Sequence, residues 1–143
     1  MTLENLLRTG QLKVHVADER ELQRLLDSAQ LALKDAAVAD ISSDSRLNLA
    51  YRAMMQAALV AVLANGYRPS TSEPGHNQLL LQALPKTIGL ASERVLVLEA
   101  FRKARNQNDY RGVPVSDATA RECAEEAGRL LADVRAWLEA RKR

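Results

Sequence analysis

"SSDSRLNLAYRAMMQAALVAVLANG", residues 42–66, decides the fold. Leu47, Ala50, Met54, Ala57, Ala58 and Ala61 recur every three or four residues. That spacing places them on one face of an α-helix. Most are small, so a second helix can approach this face closely. Ser43 or a neighbour can cap the start, because a side-chain oxygen there accepts from an otherwise unpaired backbone N–H. Gly66 stops the helix.

The chain on either side supplies partners of the same kind. In "DERELQRLLDSAQLALKDAAVAD", residues 18–40, Leu22, Leu25, Leu26, Ala29, Leu33 and Ala36 form one apolar face. Asp18 caps it, with Glu21 at capping-box spacing. "ERVLVLEAFRKARNQNDY", residues 93–110, is read as a helix capped by Ser92, with Val97, Leu98, Ala100, Phe101 and Ala104 on an apolar arc. Ser116 starts a last helix whose stripe is Ala120, Cys123, Ala127, Leu130, Val134 and Leu138. Its basic end, "RKR", suits the negative pole of the helix dipole. "TLENLLRTG" is a short helix ended by Gly10, and "HNQLLLQALPK" another, broken near Pro85. "YRPSTSEPG", residues 67–75, is the clearest loop. "QLKVHV", residues 11–16, alternates briefly, but six residues cannot make a sheet alone, so no strand is expected. The expectation is one all-α domain over residues 1–143, core about 18–137: an up-and-down bundle of four long helices plus one or two short ones.

Composition narrows the function classes. The chain has 143 residues, 47% hydrophobic and 27% charged, ordinary for a soluble globular domain. A net charge of +2 permits nucleic-acid binding without arguing for it. Cys123 is the one cysteine, and the two histidines, His15 and His76, are far apart, so neither a disulfide framework nor a zinc cluster is expected. No metal and no cofactor is implied. The N-terminus does not read as a signal peptide, and "AMMQAALVAVLANG" falls short of the ~20 residues of a membrane span. The expected location is cytoplasmic.

The functional signal lies in "RKARNQNDYRG", residues 102–112. Arg102, Arg105 and Asp109 line the edge of the apolar arc. A surface pair of Arg105 with Asp109 would contribute only ~0.2–0.5 kcal/mol, and the favourable order puts the acid first. Asp109 also stands at the unfavourable end of the helix dipole. Local stability therefore explains the arrangement poorly, and a tertiary or functional reason stands beside the plain ion pair.

Three stretches, "DERELQRLLDSAQLALKDA", "DSRLNLAYRAMMQAALVAVLANGYRPSTSEPGHN" and "RKARNQNDYRG", together resemble the HEPN family of bacterial and archaeal helical domains. The resemblance covers roughly residues 18–137. Ribonucleases of that family carry Arg, a short spacer, then His. This chain instead has Arg105, Asn106, Asp109 and Tyr110, similar to a subgroup with Asp-Tyr in place of the His segment. A carboxylate of ordinary pKa is already ionised at neutral pH and does not replace the titrating imidazole. The resemblance implies a homodimer whose motif helices line a shared basic cleft. Arg102 and Arg105 would contact phosphate, Asp109 would orient Arg105, Tyr110 would stack or donate, and Asn106 would position a polar group. It implies binding of RNA, or of a nucleotidyltransferase-type partner, as in toxin–antitoxin or defence systems. Two alternatives stay open: a metal-free endoribonuclease using Arg105, Asp109 and Tyr110, and a non-catalytic protein-interaction module.

His76 and Arg68 are further candidates for the cleft, each with a solvated-residue reading beside it. Tyr51 reads as a core-edge packing residue, Trp137 as a packing anchor, Cys123 as an inert buried thiol, and His15 as incidental. Met54, Met55 and the alanines read as core or dimer-interface packing.

Overall fold

The computed structural model describes residues 1–71 and 75–142. Along the chain these form α1 (Leu3–Arg8), β1 (Leu12–Val14), α2 (Glu19–Ala36), α3 (Ser43–Ala64), β2 (Tyr67–Pro69), α4 (His76–Gln82), α5 (Leu84–Thr87), α6 (Ser92–Arg111) and α7 (Asp117–Arg141). The fold is all-α with a small ribbon. The four long helices are those expected, and three short ones accompany them, one more than expected. Pro85 separates α4 from α5 by occupying an early position of the second, where its missing N–H is no loss.

α3 is the central helix. Its flanks α2 and α7 cover it extensively. Leu47, Ala50, Met54, Ala57, Ala58 and Ala61 have no exposed surface. Alanines at these positions let both neighbours pack close, and each larger apolar side chain contributes roughly 1.5–3 kcal/mol by leaving water. Enlarging Ala57 to Leu would overpack the seam, at a cost of about 1–3 kcal/mol. This face is therefore covered within one chain and offers no surface to a second. By length and composition α3 could also cross a membrane, but 67% of its most apolar window is buried inside the protein.

The caps follow the sequence with two changes. Asp18, Ser42 and Ser116 accept from the backbone N–H groups of Glu21, Ser45 and Thr119. Glu21 does not turn back onto the cap; its carboxylate pairs with His15 Nε2 at 2.7 Å. His15 thus ties the segment before α2 to that helix. α6 begins at Ser92, not after it, with Ala91 as an N-cap that makes no side-chain bond.

The absence of strands is corrected by the structure. Leu12–Val14 pairs antiparallel with Tyr67–Pro69, Leu12 opposite Pro69 and Val14 opposite Tyr67. Three residues suffice because the partner is brought alongside from the far end of α3. Gly66, at φ +93°, turns the chain there, a conformation that glycine adopts freely. The ribbon is extended by His15 N–H to Gly66 O and Ser70 N–H to Gln11 O, both 2.9 Å. Leu12 is fully buried and Leu6 nearly so, in the same cluster as the long helices. Residues 72–74 of the expected 67–75 loop, and Arg143 of the basic end, lie outside the described residues.

Arg46, 4% exposed, fastens the α2–α3 connection. Its Nε and Nη2 donate to Ala36 O and Val38 O at 2.8 Å, and Nη1 meets Asp117 Oδ1 at 3.1 Å. One side chain thus joins the end of α2, the start of α3 and the first turn of α7. The carbonyls it satisfies belong to a helix end that would otherwise lack partners.

α6 is the least covered long helix. Only Val95, Leu98, Glu99 and Phe101 of it are buried. Val97 and Ala100, placed on the apolar arc by sequence, are exposed. The arc is narrower than expected because α6 touches α3 and α4 along one edge and α7 only lightly.

Candidate functional site

α6 crosses α3 near Tyr51. The Arg105 guanidinium carbon lies 5.1 Å from the centre of the Tyr51 ring, within the range of a cation–π contact. Arg105 Nη2 also pairs with Asp109 Oδ2 at 2.8 Å, with side chains 26% and 30% exposed. Asp109 therefore does more than decorate a helix end: it holds one edge of a guanidinium that spans two helices. Arg105 Nε is buried and has no hydrogen-bond partner.

One turn earlier, Arg102 donates from Nε and Nη2 to Glu99 Oε2 at 3.1 and 3.0 Å. Glu99 is 8% exposed, and its Oε1 is buried without a partner. Acid, arginine, arginine, acid thus follow one another down this edge of α6. Burial pushes the Tyr51 phenol above its usual pKa; Arg105, Arg102 and a bond to the Asn77 side chain pull the other way. Tyr51 is thus a neutral phenol at physiological pH, a platform and hydrogen-bonding group rather than an anion.

Beside this contact opens a groove of about 570 Å³. α3 contributes Tyr51, Arg52, Met55 and Gln56; Thr71 follows β2; α4 contributes His76, Asn77 and Leu80; and α6 contributes Arg105. The lining is mostly apolar along Met55, Leu59 and Leu80, with two guanidiniums and an imidazole around it. No carboxylate lines it among the described residues. Gln56 donates from Nε2 to Ser28 Oγ at 2.9 Å, leaving Oε1 without a partner. Among the described residues no three His, Cys, Asp or Glu side chains come together as metal ligands.

The structure brings Arg105 and His76 into the same groove and sets Asp109 against Arg105. Arg102 stands one turn away, engaged by Glu99. Asn106 is half-buried on α6 but outside the lining, and Arg68 is exposed on β2, outside it too, although Pro69 beside it is a lining residue. Tyr110 is 78% exposed and away from the groove. Sequence reading missed Arg52, Gln56 and Asn77. It took Tyr51 for packing only, and Tyr51 is indeed buried, yet it is also the surface on which Arg105 rests. Nothing in "AYRAMMQ" separates Arg52 and Gln56 from ordinary helix-surface residues; only the course of α4 past α3 does so. Compared with protein-family models and with curated proteins, the chain matches none of them.

Proposed function

We propose that this chain, a HEPN-like helical domain, binds single-stranded RNA in the groove beside Arg105. The observation that carries the reading is the convergence of Arg105, Arg52 and His76 on one groove with no carboxylate in its described lining. Guanidinium groups suit phosphate through their planar donor geometry. The apolar wall of Met55, Leu59 and Leu80 suits the face of an unpaired base, which RNA-binding proteins commonly hold against apolar or aromatic side chains. The groove is made within one chain, so each copy carries a whole site. The test is fluorescence anisotropy of a labelled single-stranded RNA at rising salt. Saturable, salt-sensitive binding that weakens in Arg105→Ala and Arg52→Ala supports the reading; unchanged binding in both variants, or none, overturns it.

A second reading, metal-free RNA cleavage, is favoured by His76. The chain lacks a His after Arg105 in sequence, but α4 supplies one to the same groove in space. An imidazole there can take a 2′-hydroxyl proton while Arg105 stabilises the charge that develops on phosphate. Shortening of the labelled RNA that disappears in His76→Ala, with binding kept, supports this reading.

A further inference from the structure

The wall that α3 gives to the groove carries a polar row. Asn48, Arg52 and Gln56 stand four residues apart, so they follow one another along one side of the helix, and all three line the groove. They differ in what they leave free. Asn48 donates from Nδ2 to Asp44 O, one turn back, at 2.9 Å. A backbone carbonyl only accepts, so this contact fixes which way the amide points and leaves Oδ1 as the atom on offer. Among the described residues Oδ1 has no partner, and it is not sealed from solvent. Arg52 is exposed and makes no hydrogen bond or ion pair with a described residue. Asp35 lines a smaller niche on the other flank of Arg52 without pairing with it. Gln56 is held by Ser28 Oγ, and its Oε1 is buried. The reachable pair is therefore Asn48 and Arg52: a fixed acceptor beside a free donor fork, rooted about 5–6 Å apart on the helix.

That pair is complementary to one base above the others. Guanine presents N1–H and N2–H as neighbouring donors, then O6 and N7 as neighbouring acceptors. Both donors can converge on one amide oxygen, which has two lone pairs. A guanidinium takes O6 and N7 together, a common specific contact of arginine with a base. Cytosine comes next, with N4–H for Asn48 and N3 and O2 for the fork, but it has one donor fewer and a smaller face. Adenine can give N6–H to Asn48 and then offers the fork N7 alone. Uracil has a single N–H between two oxygens, so reaching Asn48 sets oxygen against oxygen. The wall of Met55 and Leu80 beside the row gives a purine ring an apolar surface. Unpaired bases in single strands expose these edges for such contacts.

We propose that the groove selects guanine, with Asn48 Oδ1 accepting from N1–H and N2–H and Arg52 donating to O6 and N7. The proposal rests on RNA binding in this groove. It assigns Arg52 to the base and leaves Arg105, on α6, to the phosphate.

The experiment is anisotropy titration of short labelled uridine strands that differ at one central position. That position holds guanosine, adenosine, cytidine, uridine, inosine, or a guanosine analogue with carbon in place of N7. Wild type should bind the guanosine strand roughly tenfold tighter than the adenosine or uridine strand, the size of one well-made bidentate base contact. Cytidine should fall between. Inosine lacks the N2 amino group; it should weaken binding to wild type by roughly threefold and make no difference to Asn48→Ala. Carbon at N7 should weaken binding to wild type and make no difference to Arg52→Ala. Unchanged circular dichroism excludes misfolding of either variant. Equal affinity for all strands overturns the proposal, as does a preference for another base or a guanosine preference that survives both variants. Strands bound alike, yet more weakly by Arg105→Ala, mean that the groove holds RNA without choosing a base. If no strand binds, RNA binding and base selection fall together.

Discussion

The Arg105 guanidinium lies over the Tyr51 ring at 5.1 Å while its Nη2 is held by Asp109 at 2.8 Å. Two weak local interactions thereby fix a cation between α6 and α3. Removing the side chain should lower RNA affinity by roughly tenfold and reduce the salt slope by about one charge. Arg105→Lys should recover only part of this, since an ammonium lacks the planar fork. Asp109→Asn keeps an acceptor but removes a negative charge beside the groove, so anion affinity should rise. Anisotropy titrations at two salt concentrations check all three.

His76 separates binding from chemistry. If the groove cleaves RNA, His76→Ala should abolish shortening of a labelled strand and leave its affinity within a few-fold. Gel analysis of the labelled strand, with anisotropy for its affinity, is the measurement.

Arg46 is 4% exposed and makes three polar contacts to three elements. Arg46→Ala should destabilise by about 3 kcal/mol, since it strands two carbonyls and opens a cavity. Arg46→Lys should rescue only part, because one ammonium cannot reach all three acceptors in the same directions. Denaturant unfolding gives both values.

Asp117 has its carboxyl pKa held below the usual 3.8, first by its hydrogen bond from Arg121, with further help from Arg46 and Ser43. The sign follows: its stabilisation is fully present above 3.8 and fades as pH falls through the lowered value. Thermal midpoints should therefore drop on acidification into that range, and Asp117→Asn should show a smaller drop. The side chain is 59% exposed, so solvent screens these interactions and the difference should be small.

Burial pushes the Cys123 thiol up to about 12. Reactivity needs the thiolate, so the folded protein at pH 8 should resist a disulfide reagent. Denaturant should release one thiol per chain, read by absorbance.

The long helices were legible because three- and four-residue spacing survives any tertiary arrangement. The α3 alanines, the α7 stripe, and the Asp18 and Ser116 caps all follow from local rules. The ribbon was not legible, since Leu12–Val14 becomes a strand only when Tyr67–Pro69 arrives from the end of α3. Val97 and Ala100 were misplaced because periodicity shows that α6 has an apolar arc, not how wide an edge its neighbours cover. Arg105 and Asp109 were found from an unfavourable local order. Arg52 and Gln56 carry no such conflict, and Tyr110 stood within the motif yet is not among the residues that line the groove.

Leu12–Val14 has one further effect. Pro69 and Thr71 edge the groove, and the strand that ends at Pro69 is secured by a segment more than fifty positions earlier in the chain. A fragment cut to begin at the first residue of α2 would keep every long helix and still lose the brace on one groove wall. Such a shortened protein would read as well folded by helicity while its ligand affinity fell, and an inactive result from it would say nothing about Arg105.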